Sequence, residues 1–87
     1  MLVVQSDLSL VGSTVTFVPI TSDLEHHPQL RVPIAPTPEN GLRKPSEIMV
    51  DRIQTMTLLR IGGLIGHIDA RTMKLVEIAL MLHLGLA

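Results

Sequence analysis

The side chains that could do chemistry in this sequence are hydroxyls, carboxylates and cations. The sequence has no cysteine, which excludes thiol catalysis, thiolate metal sites and disulfides and is consistent with a cytoplasmic protein. Thr21 lies at the end of a β-favouring run, and Asp51 and Arg52 interrupt an apolar one. Asp51 could orient or activate Thr21. The alternative is that these charges only protect an edge strand from aggregation, and spacing does not decide between the two.

The four histidines do not form a metal-binding pattern. His26 and His27 are adjacent, so their side chains diverge on any regular element, and they are predicted to be loop residues. His67 and His83 are isolated and are expected to be partly buried or interfacial. The glycines of Arg60–His67 are not followed by Lys-Ser or Lys-Thr, which indicates a bend instead of a phosphate-binding loop. We therefore predict neither a metal nor another cofactor.

Charge is unevenly distributed along the chain. Residues 1–30 contain three acidic and no basic residues, whereas residues 31–60 contain five basic and three acidic ones. This is a weak electrostatic signal for nucleic acid. Phe17 is the one aromatic residue, so bases would find no stacking platform. Any contact with nucleic acid would have to use phosphates and the backbone.

Length limits the chain to one domain, residues 1–87, with a single hydrophobic core. So short a domain is marginally stable unless it buries more surface against a partner, which predicts an oligomer. The apolar run Leu75–Ala87 is shorter than the roughly 20 residues needed to cross a bilayer. We therefore expect no membrane association.

Periodicity predicts a mainly β fold. The strands are expected at 2–5, 13–20, 30–35, 47–56 and, after a glycine-rich bend, about 64–67. Pro33 confines the third strand to an edge, and Asn40-Gly41 predicts a turn before the fourth. On that fourth strand Asp51 and Thr55 would share one face and Arg52 would point to the other.

The last segment predicts a helix. Asp69 is a suitable N-cap, the helix is expected from Ala70 to about Leu84, and Gly85 would end it. Its polar face ends after two turns, so we expect a sheet and a second subunit to cover the rest. The predicted fold class is α+β: a small antiparallel sheet with a C-terminal helix.

Five segments together resemble one family, the MazF/PemK toxins of toxin-antitoxin systems. They are LVVQSD (2–7), TVTFVPITS (14–22), RVPIAPTPENGLRKPSEIMVDRIQT (31–55), IGGLIGHID (61–69) and ALMLHLGLA (79–87). The resemblance implies a twisted, barrel-like antiparallel sheet of the CcdB/PemK type. It also implies a homodimeric, metal-independent endoribonuclease that cuts single-stranded mRNA at short sequences, leaves a cyclic phosphate and is silenced by an antitoxin protein.

The resemblance also assigns site residues. Thr21 stands where family members contact the scissile phosphate, with Ser22 beside it, and Asp51 matches an aspartate that belongs to the RNA site in some members. These imply Thr21 and Asp51 as catalytic residues. Ser22, Arg43, Lys44 and Arg52 are the expected substrate-binding residues.

The sequence departs from the family pattern in two ways. The resemblance begins after the family's first strand and the loop that carries its catalytic arginine, so the domain is expected to be N-terminally shortened, and Met49 stands where some members carry another arginine. Arg43, Lys44 or Arg52 could supply the missing cation. The alternative is a catalytically inactive relative that binds the antitoxin or a full-length toxin.

Overall fold

The computed structural model of the protein describes residues 1–5, 12–27, 29–57 and 65–86. These contain six strands, one 3-10 helix and one α-helix. Their bounds are β1 Leu2–Val3, β2 Thr14–Val18, β3 Ile20–Thr21, β4 Arg31–Ile34, β5 Ser46–Met49, the 3-10 helix Val50–Arg52, β6 Gln54–Thr57 and α1 Ala70–His83.

The strands form two antiparallel sheets of three strands each. Sheet A has the order β1-β2-β6, and sheet B has the order β3-β5-β4. β4 lies at an edge of sheet B, as Pro33 predicts, because proline cannot donate a ladder hydrogen bond. The prediction of a mainly antiparallel β fold with a C-terminal helix is confirmed.

The two sheets share one long, kinked strand pair. Residues 14–21 run beside residues 46–57, first as β2 with β6 and then as β3 with β5. The kink lies at Pro19, whose carbonyl accepts the Met49 N–H at 2.9 Å. The register slips there by three residues, since Ile20 lies opposite Ile48 but Phe17 lies opposite Gln54. The three residues of the 3-10 helix account for that excess.

The prediction of one continuous strand over 47–56 is therefore wrong. The chain leaves sheet B at Met49, makes the 3-10 turn Val50–Arg52 and enters sheet A at Gln54. Tertiary contacts impose the break: the Val50 side chain is fully buried, and its N–H donates to the Leu30 carbonyl at 3.0 Å. Asp51 and Arg52 thus lie in a corner between sheets, where strand alternation does not assign their faces.

The core lies between sheet B and α1. Its buried members are Val18, Val32, Ile34, Ile48, Val50, Val76 and Ala79. The helix prediction is confirmed, because α1 begins after Asp69, whose carboxylate accepts the Thr72 N–H at 3.0 Å. It ends at His83, before Gly85 with a φ of +73°. No helix in the described part of the chain is long and apolar enough to cross a membrane.

The turn at Asn40-Gly41 is confirmed and packs against the segment before α1. Gly41 has a φ of +68°, and the buried Asn40 side chain donates to the Ala35 carbonyl at 2.8 Å. The His67 N–H donates to the Glu39 carbonyl at 2.7 Å, and a Cβ on Gly66 would collide with that same carbonyl. Residues 65–67 form no strand, which corrects the prediction of one at about 64–67; residue 64 lies outside the described residues.

Candidate functional site

Thr21 ends β3 and lies directly opposite Glu47 of β5. Directly opposite residues of an antiparallel pair project from the same face of the sheet. Ile20 and Ile48, which alternate with them, belong to the core face. Thr21 and Glu47 therefore lie on the outer face of sheet B, the face opposite the core residues Ile20 and Ile48.

The Thr21 hydroxyl is held by the backbone that follows it. The Asp23 N–H donates to Thr21 Oγ1 at 3.0 Å. A hydroxyl offers one donor and two acceptor lone pairs, so this bond occupies a lone pair and leaves the proton available. Thr21 can thus donate to an oxygen of a bound substrate, such as a phosphate oxygen.

Residues 22–27, called the strap below, fold back over the outer face of sheet B. Two buried side chains hold the strap from beneath. Glu47 is 3% exposed and accepts the N–H groups of Glu25 at 2.9 Å and His26 at 3.1 Å. Arg31 is 8% exposed, and its Nη1 donates to the Asp23 carbonyl at 2.9 Å and to Glu47 Oε1 at 3.2 Å.

These contacts keep Glu47 ionised although it is buried. The N–H of Glu25 contributes most to lowering the pKa of the Glu47 carboxyl, with further contributions from Arg31 and the N–H of His26, and together they outweigh the opposing effect of burial. Arg31 has a second carboxylate partner, because its Nη2 lies 3.3 Å from Glu25 Oε2. No side-chain nitrogen or oxygen buried in the described residues lacks a hydrogen-bond partner.

The sequence did not predict the pairing of Arg31 with Glu47. The two residues lie 16 positions apart, and only the register of β4 with β5 brings them to one face. A signal does exist in the sequence: each is a charged residue in an otherwise apolar strand, and such residues need partners when buried. It could be used only after the register was known.

Arg43 and Lys44 lie at the same end of sheet B as Thr21. They precede β5, which begins at Ser46, and β5 runs antiparallel to β3, so its start lies beside the end of β3. Both side chains are exposed, and neither makes an ion pair with another described residue. They are therefore available to bind an anion near Thr21 and Ser22.

Asp51 and Arg52 lie at the other end of β5. Asp51 is four positions beyond the residue opposite Thr21, which corresponds to a separation on the order of 10 Å. Within the described ranges no hydrogen bond joins Thr21 to Asp51. The structure thus brings Ser22, Arg43 and Lys44 to the Thr21 end and separates Asp51 and Arg52 from them.

The described residues contain no group of three or more potential metal ligands. His26 and His27 belong to the strap, as the prediction of loop histidines requires, and contact different carboxylates. His26 Nδ1 lies 3.8 Å from Glu47 Oε2, and His27 Nε2 lies 3.5 Å from Glu25 Oε2. Among the described residues, the Thr21 end of sheet B offers a hydroxyl, nearby cations and the buried Glu47 carboxylate.

An apolar groove of about 410 Å³ lies between the strap and α1. Leu75, Ile78 and Leu82 of α1 line one wall, and Arg31, Pro33 and Glu47 are among the residues of the other. The three α1 side chains are 46–59% exposed. The helix thus carries an apolar face that the described part of its own chain leaves open, in agreement with the sparse polar face seen in the sequence.

The fold combines a kinked strand pair shared by two small sheets with a C-terminal helix, and known proteins with similar sequences and structures identify its family. The family model of the PemK-like, MazF-like toxin of type II toxin-antitoxin system matches residues 1–84. The chain belongs to this family, as the resemblance predicted. Membership implies an antitoxin as partner.

The similarity to known relatives extends over nearly the whole chain. The probable endoribonuclease MazF of Mycolicibacterium smegmatis is 33% identical over 86 residues, which are 99% of this chain and 79% of that protein. The solved structure of Mycobacterium tuberculosis toxin MazF-mt6 matches with a TM-score of 0.85 at 25% identity, over 99% of this chain and 85% of that one. A crystal structure of an Mtb toxin matches with a TM-score of 0.81 at 25% identity, over 94% and 88%.

Proposed function

We propose that the protein is a metal-independent endoribonuclease that cuts single-stranded mRNA at a short sequence, as the toxin of a toxin-antitoxin pair. The observation that carries the proposal is the Thr21 hydroxyl, which is fixed by the Asp23 N–H and keeps its proton to donate. The match to a relative named probable endoribonuclease supports the same activity. The match to the toxin family likewise favours an active toxin over the inactive binding module.

The proposed reaction is transfer of a phosphodiester within the RNA. The ribose 2′-oxygen attacks the neighbouring phosphorus as its proton passes to a base, and the bond from phosphorus to the 5′-oxygen of the next nucleotide breaks as that oxygen takes up a proton from an acid or from water. The products are a cyclic phosphate and a 5′-hydroxyl. Thr21 would donate to a non-bridging phosphate oxygen, whose negative charge grows in the transition state.

The two pairs of charged residues, Arg43 with Lys44 and Asp51 with Arg52, have separate places in this proposal. Arg43 and Lys44, at the Thr21 end of sheet B, would neutralise the phosphate being cut, and Ser22 would add a second hydroxyl. Asp51 and Arg52 would contact the RNA farther along, at the corner between the sheets, unless the bound RNA folds back to bring its reacting ribose to Asp51. Residues 31–60 carry a small excess of basic over acidic residues, and Phe17 is the one aromatic residue of the sequence. Both features fit binding of RNA through its phosphates.

The working form is proposed to be a homodimer in the cytoplasm, regulated by its cognate antitoxin. The exposed apolar face of α1 supports this, since apolar patches on small domains commonly mark protein interfaces. A domain of this length also gains stability by burying that face. Sedimentation of the purified chain would test the dimer independently of activity.

The test of function is cleavage of a long single-stranded RNA in EDTA, with the ends of the fragments mapped. We expect cuts at one short sequence that leave cyclic phosphates. Thr21→Ala is expected to lower the cleavage rate by about 100-fold or more, the effect typical of losing one donor to a developing oxyanion. Thr21→Ser, which keeps the hydroxyl, should retain much of the rate.

Thr21→Ala also serves as the matched control, because a contaminating ribonuclease would survive the substitution. Intact RNA after incubation with a chain whose circular dichroism shows the expected fold would overturn the proposal and favour the binding module. Cleavage that is abolished by EDTA would contradict the metal-independent mechanism.

A further inference from the structure

We propose that Arg31 and Glu47 are positioning residues for the Thr21 hydroxyl, acting through the strap; this inference rests on the proposed ribonuclease function. Neither residue is expected to touch RNA, since both side chains are buried beneath residues 23–26. They would act by fixing the backbone of Asp23, whose N–H orients Thr21. A continuous chain of contacts joins the two residues to Thr21.

The first step joins Thr21 to Asp23, and the second joins Asp23 to Arg31. The backbone of Asp23 is held on both sides: its N–H donates to Thr21 Oγ1 at 3.0 Å and its carbonyl accepts from Arg31 Nη1 at 2.9 Å. The same Nη1 donates to Glu47 Oε1 at 3.2 Å. A shift of the guanidinium would therefore move the residue whose N–H sets the rotamer of Thr21.

Glu47 fixes the next two peptides of the strap. Its two carboxylate oxygens accept different N–H groups, Oε1 that of Glu25 at 2.9 Å and Oε2 that of His26 at 3.1 Å. Glu47 also lies directly opposite Thr21 on the strand pair. The Glu47 side chain thus fixes the strap relative to the position in sheet B from which Thr21 projects.

The strap conformation is one that the sequence would not adopt by itself. His26 has a φ of +59°, in the left-handed region that costs a residue with a Cβ about 1 kcal/mol or more. The His26 side chain is 79% exposed, so packing of the imidazole does not enforce this backbone. The bond from its N–H to Glu47 is the contact that does.

Stability alone does not account for a buried ion pair at this place. Desolvation of two charges offsets most of their attraction, and apolar residues of similar size often stabilise a fold as well or better. What the pair adds is direction, because a planar guanidinium and a carboxylate fix several hydrogen bonds at set angles. Here those bonds end at the backbone of the strap, whose Asp23 N–H holds the proposed catalytic hydroxyl.

Two variants test the inference. Glu47→Gln keeps the size and an acceptor oxygen but removes the charge, and Arg31 retains Glu25 as a carboxylate partner, so the fold is expected to survive. Arg31→Lys keeps the positive charge but loses the planar fork, whose Nη1 reaches Asp23 and Glu47 while its Nη2 reaches Glu25. Glu77→Gln is the matched control, since Glu77 forms an exposed ion pair with Lys74 at 3.8 Å, far along α1.

The readouts are kcat and KM for RNA cleavage, the side-chain couplings that report the Thr21 rotamer by NMR, and amide hydrogen exchange in the strap. We expect kcat to fall by about tenfold or more in both variants with KM nearly unchanged, because geometry and not binding is lost. Thr21 should change from one rotamer to an average, and the amides of Glu25 and His26 should exchange faster. Glu77→Gln should match the parent in all three.

Three results would overturn the inference. One is a kcat equal to that of the parent in variants whose strap amides have lost protection. The second is a Thr21 rotamer that stays single in both variants. The third is a loss of kcat that merely follows the unfolded fraction seen in thermal melts. If the parent chain does not cut RNA, the proposed function fails by itself, and the rotamer and exchange data still decide whether the pair positions Thr21.

Discussion

The outer faces of the two sheets differ in how their polar side chains are bonded, although segments 14–21 and 46–57 contribute two of the three strands of each sheet. On sheet A the outer face carries four threonines, two on each of two neighbouring strands: Thr14, Thr16, Thr55 and Thr57. Their closest cross-strand contact joins the Thr16 and Thr55 hydroxyls at 3.5 Å. On sheet B the outer face carries Arg31 and Glu47, which are buried and bonded at 3.2 Å.

The difference shows where a polar group constrains the chain. An exposed hydroxyl can bond water in many orientations, so the threonines of sheet A impose little geometry. A buried carboxylate or guanidinium must find specific partners within the protein, and here those partners are backbone groups of the strap. Thr21, the residue proposed for catalysis, lies where the burial of charge has fixed the neighbouring backbone.

The core beneath sheet B should dominate stability, and Ile48→Ala is expected to have the largest effect. Ile48 is fully buried in the central strand between Ile20 and Val32, so its loss leaves a cavity. We expect a loss of about 2–5 kcal/mol in the free energy of unfolding, measured in urea. Met56→Ala, at a half-buried position on edge strand β6 of sheet A, is the matched control and should cost less. An equal loss in both variants would contradict the contrast between the sheets.

Local signals in the sequence were sufficient for α1 and for the Asn40-Gly41 turn. Asp69 and Gly85 act on the backbone within a few residues, so their types alone mark the helix ends. The break at Val50–Arg52 could not be found in this way. It depends on the Val50 side chain entering a core formed with α1 and on a bond to Leu30, both distant in sequence.

The residues of the candidate site also fall into two groups: those that the sequence alone could identify and those whose placement depends on the pairing of distant strands. Thr21 at a strand end could be named from the sequence and its family resemblance, and so could the cations at Arg43 and Lys44. The placing of Asp51 near Thr21 could not be judged, because the register slip that separates them is a property of two paired strands. Arg31 and Glu47 were missed for the same reason.

Acid should weaken sheet B before sheet A. The folded-state pKa of Glu47 is lowered from the ordinary value of 4.5, chiefly by the Glu25 N–H, so its bonds stabilise the protein above that pH and are lost as pH falls below it. We expect amides of the strap to lose protection from exchange below about pH 4.5, ahead of amides in β2 and β6. The charged groups that face the Glu47 carboxylate are Arg31 and the exposed His26, and Arg31 also pairs with Glu25.

Glu47→Gln provides the control for this acid effect. A glutamine does not titrate, so the difference in strap protection between neutral and acid pH should shrink in the variant. The pKa of Asp69 is lowered as well, mainly by the Thr72 hydroxyl, and its protonation would weaken the start of α1 in both proteins alike. A strap that opens at the same pH with and without the Glu47 carboxylate would show that Glu47 is not the group that titrates.

Thr55→Val on sheet A should have the smallest effect. The hydroxyl contact at 3.5 Å is at the limit of a hydrogen bond and is exposed, and valine favours strands at least as strongly as threonine. We expect a change within about 0.5 kcal/mol in the free energy of unfolding and no change in cleavage rate. Thr21→Val makes the same chemical change on sheet B, and it should leave stability similar while the cleavage rate falls. A loss of more than about 1 kcal/mol in the free energy of unfolding of Thr55→Val would contradict this expectation. So large a cost arises when a buried polar group is left without its partner, which would mean that the threonines of sheet A pack against another surface.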